Sequence, residues 1–152
     1  MFHIIDDDDV IREMIKIIIS EAGYSVFCFN SAEAYLEHLY SPEFEMPIAV
    51  LSDLTMPGMN GYELALQVRK VHSRLKILMI TGNAGFDYNQ RASHQLCSRL
   101  DKPFHPETLV ALLSSLDQCE NAAGAEGARE FDQQCEFAVG EQCPFHQANQ
   151  LE

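Results

Sequence analysis

Ile48-Ala49-Val50-Leu51-Ser52-Asp53-Leu54-Thr55-Met56-Pro57-Gly58-Met59-Asn60-Gly61 is the stretch on which the fold turns. A short apolar run with no polar alternation predicts a strand over 48–52 that is buried on both faces, as in parallel sheets. It runs into a lone carboxylate, Asp53, and then a Pro-Gly turn. Helical spacing resumes at Leu64, Ala65 and Val68. This is the β-turn-α half of a parallel unit.

The same grammar repeats on either side. Phe2–Ile5 reads as a brief strand that ends in Asp6, Asp7, Asp8 and Asp9. Ile11, Met14, Ile15, Ile18, Ile19 and Ala22 then share a helical face over 10–22, with Gly23 as the stop. Residues 24–29 are aromatic and β-branched, so they predict a second strand. Asn30 and Ser31 are good N-caps for a helix to about Tyr40, closed by Pro42. A buried strand over 77–80 leads into Thr81-Gly82. A weaker helix is expected within 84–95, a short strand around Ser98–Asp101, and a last helix from Pro106 through Leu116. Five β-α repeats predict an α/β fold, a parallel sheet covered on both faces.

The chain has 152 residues, enough for one domain and a small appendage. Apolar residues make up 47%, which suits a packed core and excludes a wholly disordered chain. Ten basic against 23 acidic side chains give a net charge of −13, which argues against binding to nucleic acid or to anionic membranes. No apolar run approaches the ~18 residues of a spanning helix, and no basic leader precedes an apolar core at the N-terminus. Five scattered cysteines, an odd number, suit reduced thiols in a cytoplasmic protein. The charge is uneven: 9 basic and 15 acidic residues over 1–116 give −6, while 1 basic and 8 acidic over 117–152 give −7. The second segment also loses hydrophobic period. It is expected to be an acidic, mobile tail (118–152) beside a folded unit (1–117). Leu151 and Glu152 carry no weight, since two such residues can be a cloning remnant.

In an open parallel sheet, sites form beyond the carboxyl ends of the strands. Four strand ends here carry useful groups: Asp6, Asp7, Asp8 and Asp9 after the first, Asp53 after the third, Thr81 after the fourth, and Lys102-Pro103 after the fifth. An aspartate run at a helix start is ordinarily a solvated cap that complements the helix dipole. Four in a row behind a buried strand repel one another, however, and stay ionised only beside positive charge. A hard divalent cation such as Mg²⁺ fits, taking carboxylate, carbonyl and water oxygens. Asp53 adds negative charge to the same edge, either as a further ligand or as a nucleophile toward phosphorus. Thr81 and Lys102 supply the hydroxyl and the counter-charge that a phosphoryl group needs. The Lys102-Pro103 bond is a candidate for the cis isomer.

Ile5-Asp6-Asp7-Asp8, Ser52-Asp53-Leu54-Thr55-Met56-Pro57-Gly58-Met59-Asn60-Gly61, Ile80-Thr81-Gly82 and Asp101-Lys102-Pro103-Phe104 together resemble the receiver domain of two-component response regulators over about residues 1–117. The resemblance implies a flavodoxin-like five-stranded parallel sheet in the order 2-1-3-4-5, flanked by five helices. It implies that Asp53 is the phospho-acceptor. Asp7 would bind Mg²⁺ directly, Asp6 through water or hydrogen bonds, and the Thr55 carbonyl would add a ligand. Asp8 would support the set, Thr81 would be the switch hydroxyl, and Lys102 the phosphoryl-pairing lysine. A sensor histidine kinase or phosphotransfer protein would be the donor. A protein target, or a homodimer, would read the face made by the fourth helix, fifth strand and fifth helix.

Three positions depart from the family pattern. Arg99 stands where an aromatic switch residue is common, so that face is expected to be read through charge. Gly82 replaces the more usual Ala or Ser, and Gln95 replaces a common Gly. With Asn83 two past Thr81, Gly82 is expected to admit water and shorten the life of phospho-Asp53. The tail carries Cys119, Cys135, Cys143 and His146, for which free thiols outweigh a zinc clip because no C-x-x-C pair is present. It is too short and acidic for a helix-turn-helix module, so a stand-alone receiver or phosphorelay intermediate is expected. Two other classes compete: a small aspartyl-phosphate phosphatase using Asp6 or Asp53, and an interaction module indifferent to phosphorylation.

Overall fold

The computed structural model describes residues 1–72, 75–82 and 98–123. Five strands, β1 (Phe2–Ile5), β2 (Val26–Phe29), β3 (Ala49–Asp53), β4 (Lys76–Thr81) and β5 (Ser98–Asp101), form one parallel sheet in the order β2-β1-β3-β4-β5. The order is the expected one. Among the described residues four helices accompany it: α1 (Asp9–Glu21), α2 (Ala32–Leu39), α3 (Gly61–Val71) and α4 (Pro106–Ala123). The helix expected within 84–95, with Asn83 and Gln95, lies outside the described residues, as do Cys135, Cys143 and His146.

Strand residues alternate between two cores because successive side chains point to opposite faces. Ile5, Val50, Ile77 and Met79 pack with Tyr35 and Leu39 of α2 and with Leu64, Ala65 and Val68 of α3. Ile4, Leu51, Leu78 and Ile80 face the other way, against Ile15, Ile18 and Ile19 of α1 and Leu109, Leu113 and Leu116 of α4. This is why residues 4–5, 49–51 and 77–80 read as apolar with no polar alternation. Each fully buried Leu or Ile contributes about 1.5–3 kcal/mol.

Local chemistry sets the helix ends. The Asp8 carboxylate accepts from the Val10 and Ile11 N–H groups at 2.9 and 3.1 Å, starting α1. Ser31 Oγ accepts from Ala34 N–H at 3.1 Å. Asn60 and Glu63 form a reciprocal capping box on α3. Gly23, at φ +93°, follows α1 in the left-handed conformation that a helix stop favours.

Two boundaries differ from expectation by more than one residue. The second strand begins at Val26 rather than Tyr24, because Tyr24 leaves the ladder for other partners. Its ring meets Phe2 edge-on at 5.0 Å, and its hydroxyl donates to Asp117 Oδ2 at 3.0 Å. The last helix continues past Leu116 to Ala123, taking in Cys119. Good helix formers such as Gln118, Glu120 and Ala122 extend it after its apolar anchors end. No described helix is long and apolar enough to cross a membrane.

Candidate functional site

Strand register assembles the site. Ile5 pairs with Ser52, so Asp6 lies one step on, level with Asp53. Asp53 pairs with Ile80, which puts Thr81 one step beyond. Thr81 pairs with Asp101, so Lys102 follows at the same edge, and its N–H donates to the Thr81 carbonyl at 2.8 Å. Groups up to 96 residues apart in sequence therefore meet.

The four aspartates divide into distinct roles. Asp6 is buried, and its Oδ1 accepts from Asp8 N–H at 2.9 Å. Asp7 is exposed, yet one of its carboxylate oxygens lies within 4.8 Å of oxygens of Asp6 and Asp53. Asp8 caps α1 and turns away. Asp9 is exposed and pairs with Arg12, whose other nitrogen donates to the Asp6 carbonyl at 2.7 Å. The bland reading of the run thus holds for Asp8 and Asp9, and the metal-ligand reading fits Asp6 and Asp7. Arg12 had no sequence signal beyond its i+3 spacing from Asp9.

Asp53 is the last residue of β3, 8% exposed, and its carboxylate accepts from the Thr55 N–H. Gly61 lets α3 begin hard against this strand end: a Cβ there would lie 2.5 Å from the Asp53 carbonyl oxygen and 2.7 Å from Met79 Sδ. Lys102 Nζ sits between the two buried carboxylates, 3.3 Å from Asp6 Oδ2 and 3.5 Å from Asp53 Oδ1. The Lys102-Pro103 peptide is cis. Thr81 is buried at the same edge. Gly82 borders Lys102, where a Cβ would make only an ordinary 3.9 Å contact. Arg99 lies in β5 opposite Met79.

Burial pushes both Asp6 and Asp53 above the usual carboxylate range. For Asp53 the neighbouring Asp6 charge adds to the rise, while Lys102 and the Thr55 N–H oppose it. For Asp6 the Asp8 N–H and Lys102 oppose it. Among the described residues one ammonium therefore faces three clustered carboxylates, and the positive charge falls short. The donors are hard oxygens, and exposed Asp7 leaves the cluster open to solvent. Such a set fits Mg²⁺ better than a soft metal.

Comparison with known proteins agrees with this geometry. The chain is 32% identical over 126 residues to the transcriptional regulatory protein FixJ of Bradyrhizobium diazoefficiens, covering 82% of this chain and 60% of FixJ. It is 35% identical over 106 residues to the response regulator receiver protein CpdR of Brucella abortus, covering 69% and 85% respectively. The chain thus spans only about three-fifths of FixJ. The structure superposes on response regulator TrrA of Thermotoga maritima, solved in complex with Mg²⁺-BeF, with a TM-score of 0.68 at 26% identity, covering 76% and 96% of the two chains. Residues 2–114 match the response regulator receiver domain, and the chain belongs to that family.

Proposed function

We propose that this protein is a phosphorylation switch in which Asp53 accepts a phosphoryl group from the phosphohistidine of a sensor histidine kinase or phosphotransfer protein. The observation that carries the reading is the meeting of Asp6, Asp7, Asp53 and Lys102 at one sheet edge. That TrrA was solved with Mg²⁺-BeF supports the same use of the edge.

In the proposed step an Asp53 carboxylate oxygen attacks phosphorus as the P–N bond to the donor imidazole breaks. The imidazole leaves with the bonding pair, and an acyl phosphate forms on Asp53. Asp6, Asp7, Asp53 and the Thr55 carbonyl would hold Mg²⁺. When bound, the ion offsets the repulsion between an anionic nucleophile and an anionic donor. Lys102 lies between Asp6 and Asp53 and would pair with the incoming phosphoryl oxygens. Thr81, one residue past the Asp53 register, would offer its hydroxyl to the same group. Pro103 holds the backbone beside Lys102, and Asp8 fixes the start of α1. The modified state would change the face that includes β5 and α4, which a protein partner or second copy would read. The chain itself turns over nothing beyond slow loss of its own phosphate. The charge of −13 opposes direct nucleic-acid contact by this chain, and its setting would be cytoplasmic.

Incubation with Mg²⁺ and acetyl phosphate tests this. Stoichiometric labelling that Asp53→Asn abolishes supports the switch. Multiple turnover on phosphomonoesters would instead favour the phosphatase.

A further inference from the structure

Glu33 lies in the first turn of α2, where an acid is ordinarily explained by the helix dipole. The dipole does not account for where its carboxylate goes. Glu33 Oε1 accepts from the backbone N–H of Met59 at 2.9 Å, 26 residues away, in the turn between Asp53 and α3. That turn has Pro57 and Gly58 at its centre, and Gly58 adopts φ +78°, as a type II turn requires at its third position. The same carboxylate covers this glycine: a Cβ on Gly58 would lie 2.7 Å from Glu33 Oε1. The backbone conformation favours glycine here, and the Glu33 carboxylate lies directly over it. The Met59 hydrogen bond also holds the Glu33 carboxyl below the usual range, as a carboxylate that accepts from an N–H should be.

The other polar contacts of the turn are local. Thr55 N–H donates to the Asp53 carboxylate, Gly61 N–H to the Leu54 carbonyl at 2.8 Å, and Asn60 N–H to Glu63 at 3.1 Å. Glu33 is the polar tie from this turn to α2; Met56 and Met59 add apolar packing against the cluster that holds Ala32, Tyr35 and Leu39 of α2.

We infer that Glu33 is a positioning residue that latches the Met56-Pro57-Gly58-Met59 turn to α2 and so fixes the backbone carrying Thr55 beside Asp53. The inference rests on the proposed role of Asp53. Its effect should fall on metal affinity, since the Thr55 carbonyl is the group in that turn offered to the cation.

The test uses the full chain, with Glu33→Ala, Glu33→Gln and, as a control on the same exposed side of α2, Glu37→Ala. Amide hydrogen exchange is followed at Met59, and Asp53 labelling by acetyl phosphate is followed across a Mg²⁺ titration. Glu33→Ala should speed Met59 exchange roughly five- to tenfold, the shift expected for one net hydrogen bond. It should raise the Mg²⁺ concentration for half-maximal labelling about threefold while leaving the rate at saturating Mg²⁺ unchanged. Glu33→Gln, which keeps an acceptor oxygen, should restore both readouts, and Glu37→Ala should match wild type. The latch is overturned if Glu33→Ala exchanges and labels like wild type, or if Glu37→Ala reproduces its effects. A wild-type chain that fails to label at all refutes the role of Asp53, whereas Met59 exchange still decides whether Glu33 holds the turn.

Discussion

His3, within β1, and Asp6, one step past its end, are both buried, and the chain treats them in opposite ways. His3 lies in a cage of rings: Phe27, Phe29, Tyr35, His38 and Phe44 all have centroids within 5.9 Å of it. Its Nδ1 meets the Tyr35 hydroxyl at 3.0 Å, and its Nε2 has no hydrogen-bond partner among the described residues. Burial first, and then His38, push its pKa down to about 4. Asp6 is equally buried but has an N–H, an ammonium and two further carboxylates around it. Burial alone does not make a site. The His3 cage excludes charge, while the Asp6 edge concentrates negative charge beyond what Lys102 offsets.

The largest expected effect separates the two regions outright. Asp53→Asn should abolish labelling by acetyl phosphate, as read by intact mass. It should also raise the metal-free melting temperature by roughly 4 °C, about 1 kcal/mol, by removing one of the crowded carboxylates. An unlabelled variant with a lowered melting temperature would contradict the charge argument.

Mg²⁺ should stabilise the Asp6 edge and leave the His3 cage indifferent. At a free concentration a hundred times its dissociation constant, the gain is about 2.7 kcal/mol. Asp7→Ala should keep the metal-free melting temperature, because Asp7 is exposed, yet lose the Mg²⁺-dependent shift in a calorimetric scan.

Acid should act on the cage with the opposite sign. The folded His3 pKa of about 4 lies below the usual 6.5, so the unfolded chain takes up the proton first. Stability present above pH 6.5 is then lost as pH falls toward 4. Between pH 7.5 and 5 this amounts to about 2 kcal/mol. Urea midpoints at the two pH values should show it, and His3→Gln should flatten the difference. For Asp6 and Asp53, whose folded values are raised, protonation relieves repulsion and favours the fold as pH falls through those values.

The smallest effect concerns Gly82. Among the described residues a methyl group there meets only the Lys102 side chain, at 3.9 Å, so Gly82→Ala should fold normally. It should slow loss of phosphate from Asp53 roughly threefold by narrowing access for water. Equal dephosphorylation half-times for the two proteins would remove Gly82 from the account.

Much of the site was legible because its residues follow strand ends, and strand ends are marked by where apolar runs stop. Asp53, Thr81 and Lys102 stand out as candidates in this way, and strand register brings the three to one edge. Local patterns were less informative where tertiary partners intervene. Tyr24 looked like strand and instead reaches Asp117, and the last helix outlasts its apolar spacing. Arg12 and Glu33 escaped notice because each looks like an ordinary helix-surface charge until its distant acceptor or donor is in place.

The sequence by itself determined the alternation of strands and helices, the parallel sheet and the acidic strand ends, since periodicity and capping act within a few residues. Only the tertiary structure decided which aspartates serve what purpose. Asp6 and Asp7 face Asp53, Asp8 caps α1, and Asp9 pairs with Arg12. Four neighbouring residues of one type carry no local mark that distinguishes them. Their division is set by the order β2-β1-β3-β4-β5, which brings β3 and the end of β5 to the same edge as β1. Long-range charge then acts differently on each carboxylate according to its burial and its distance from Lys102.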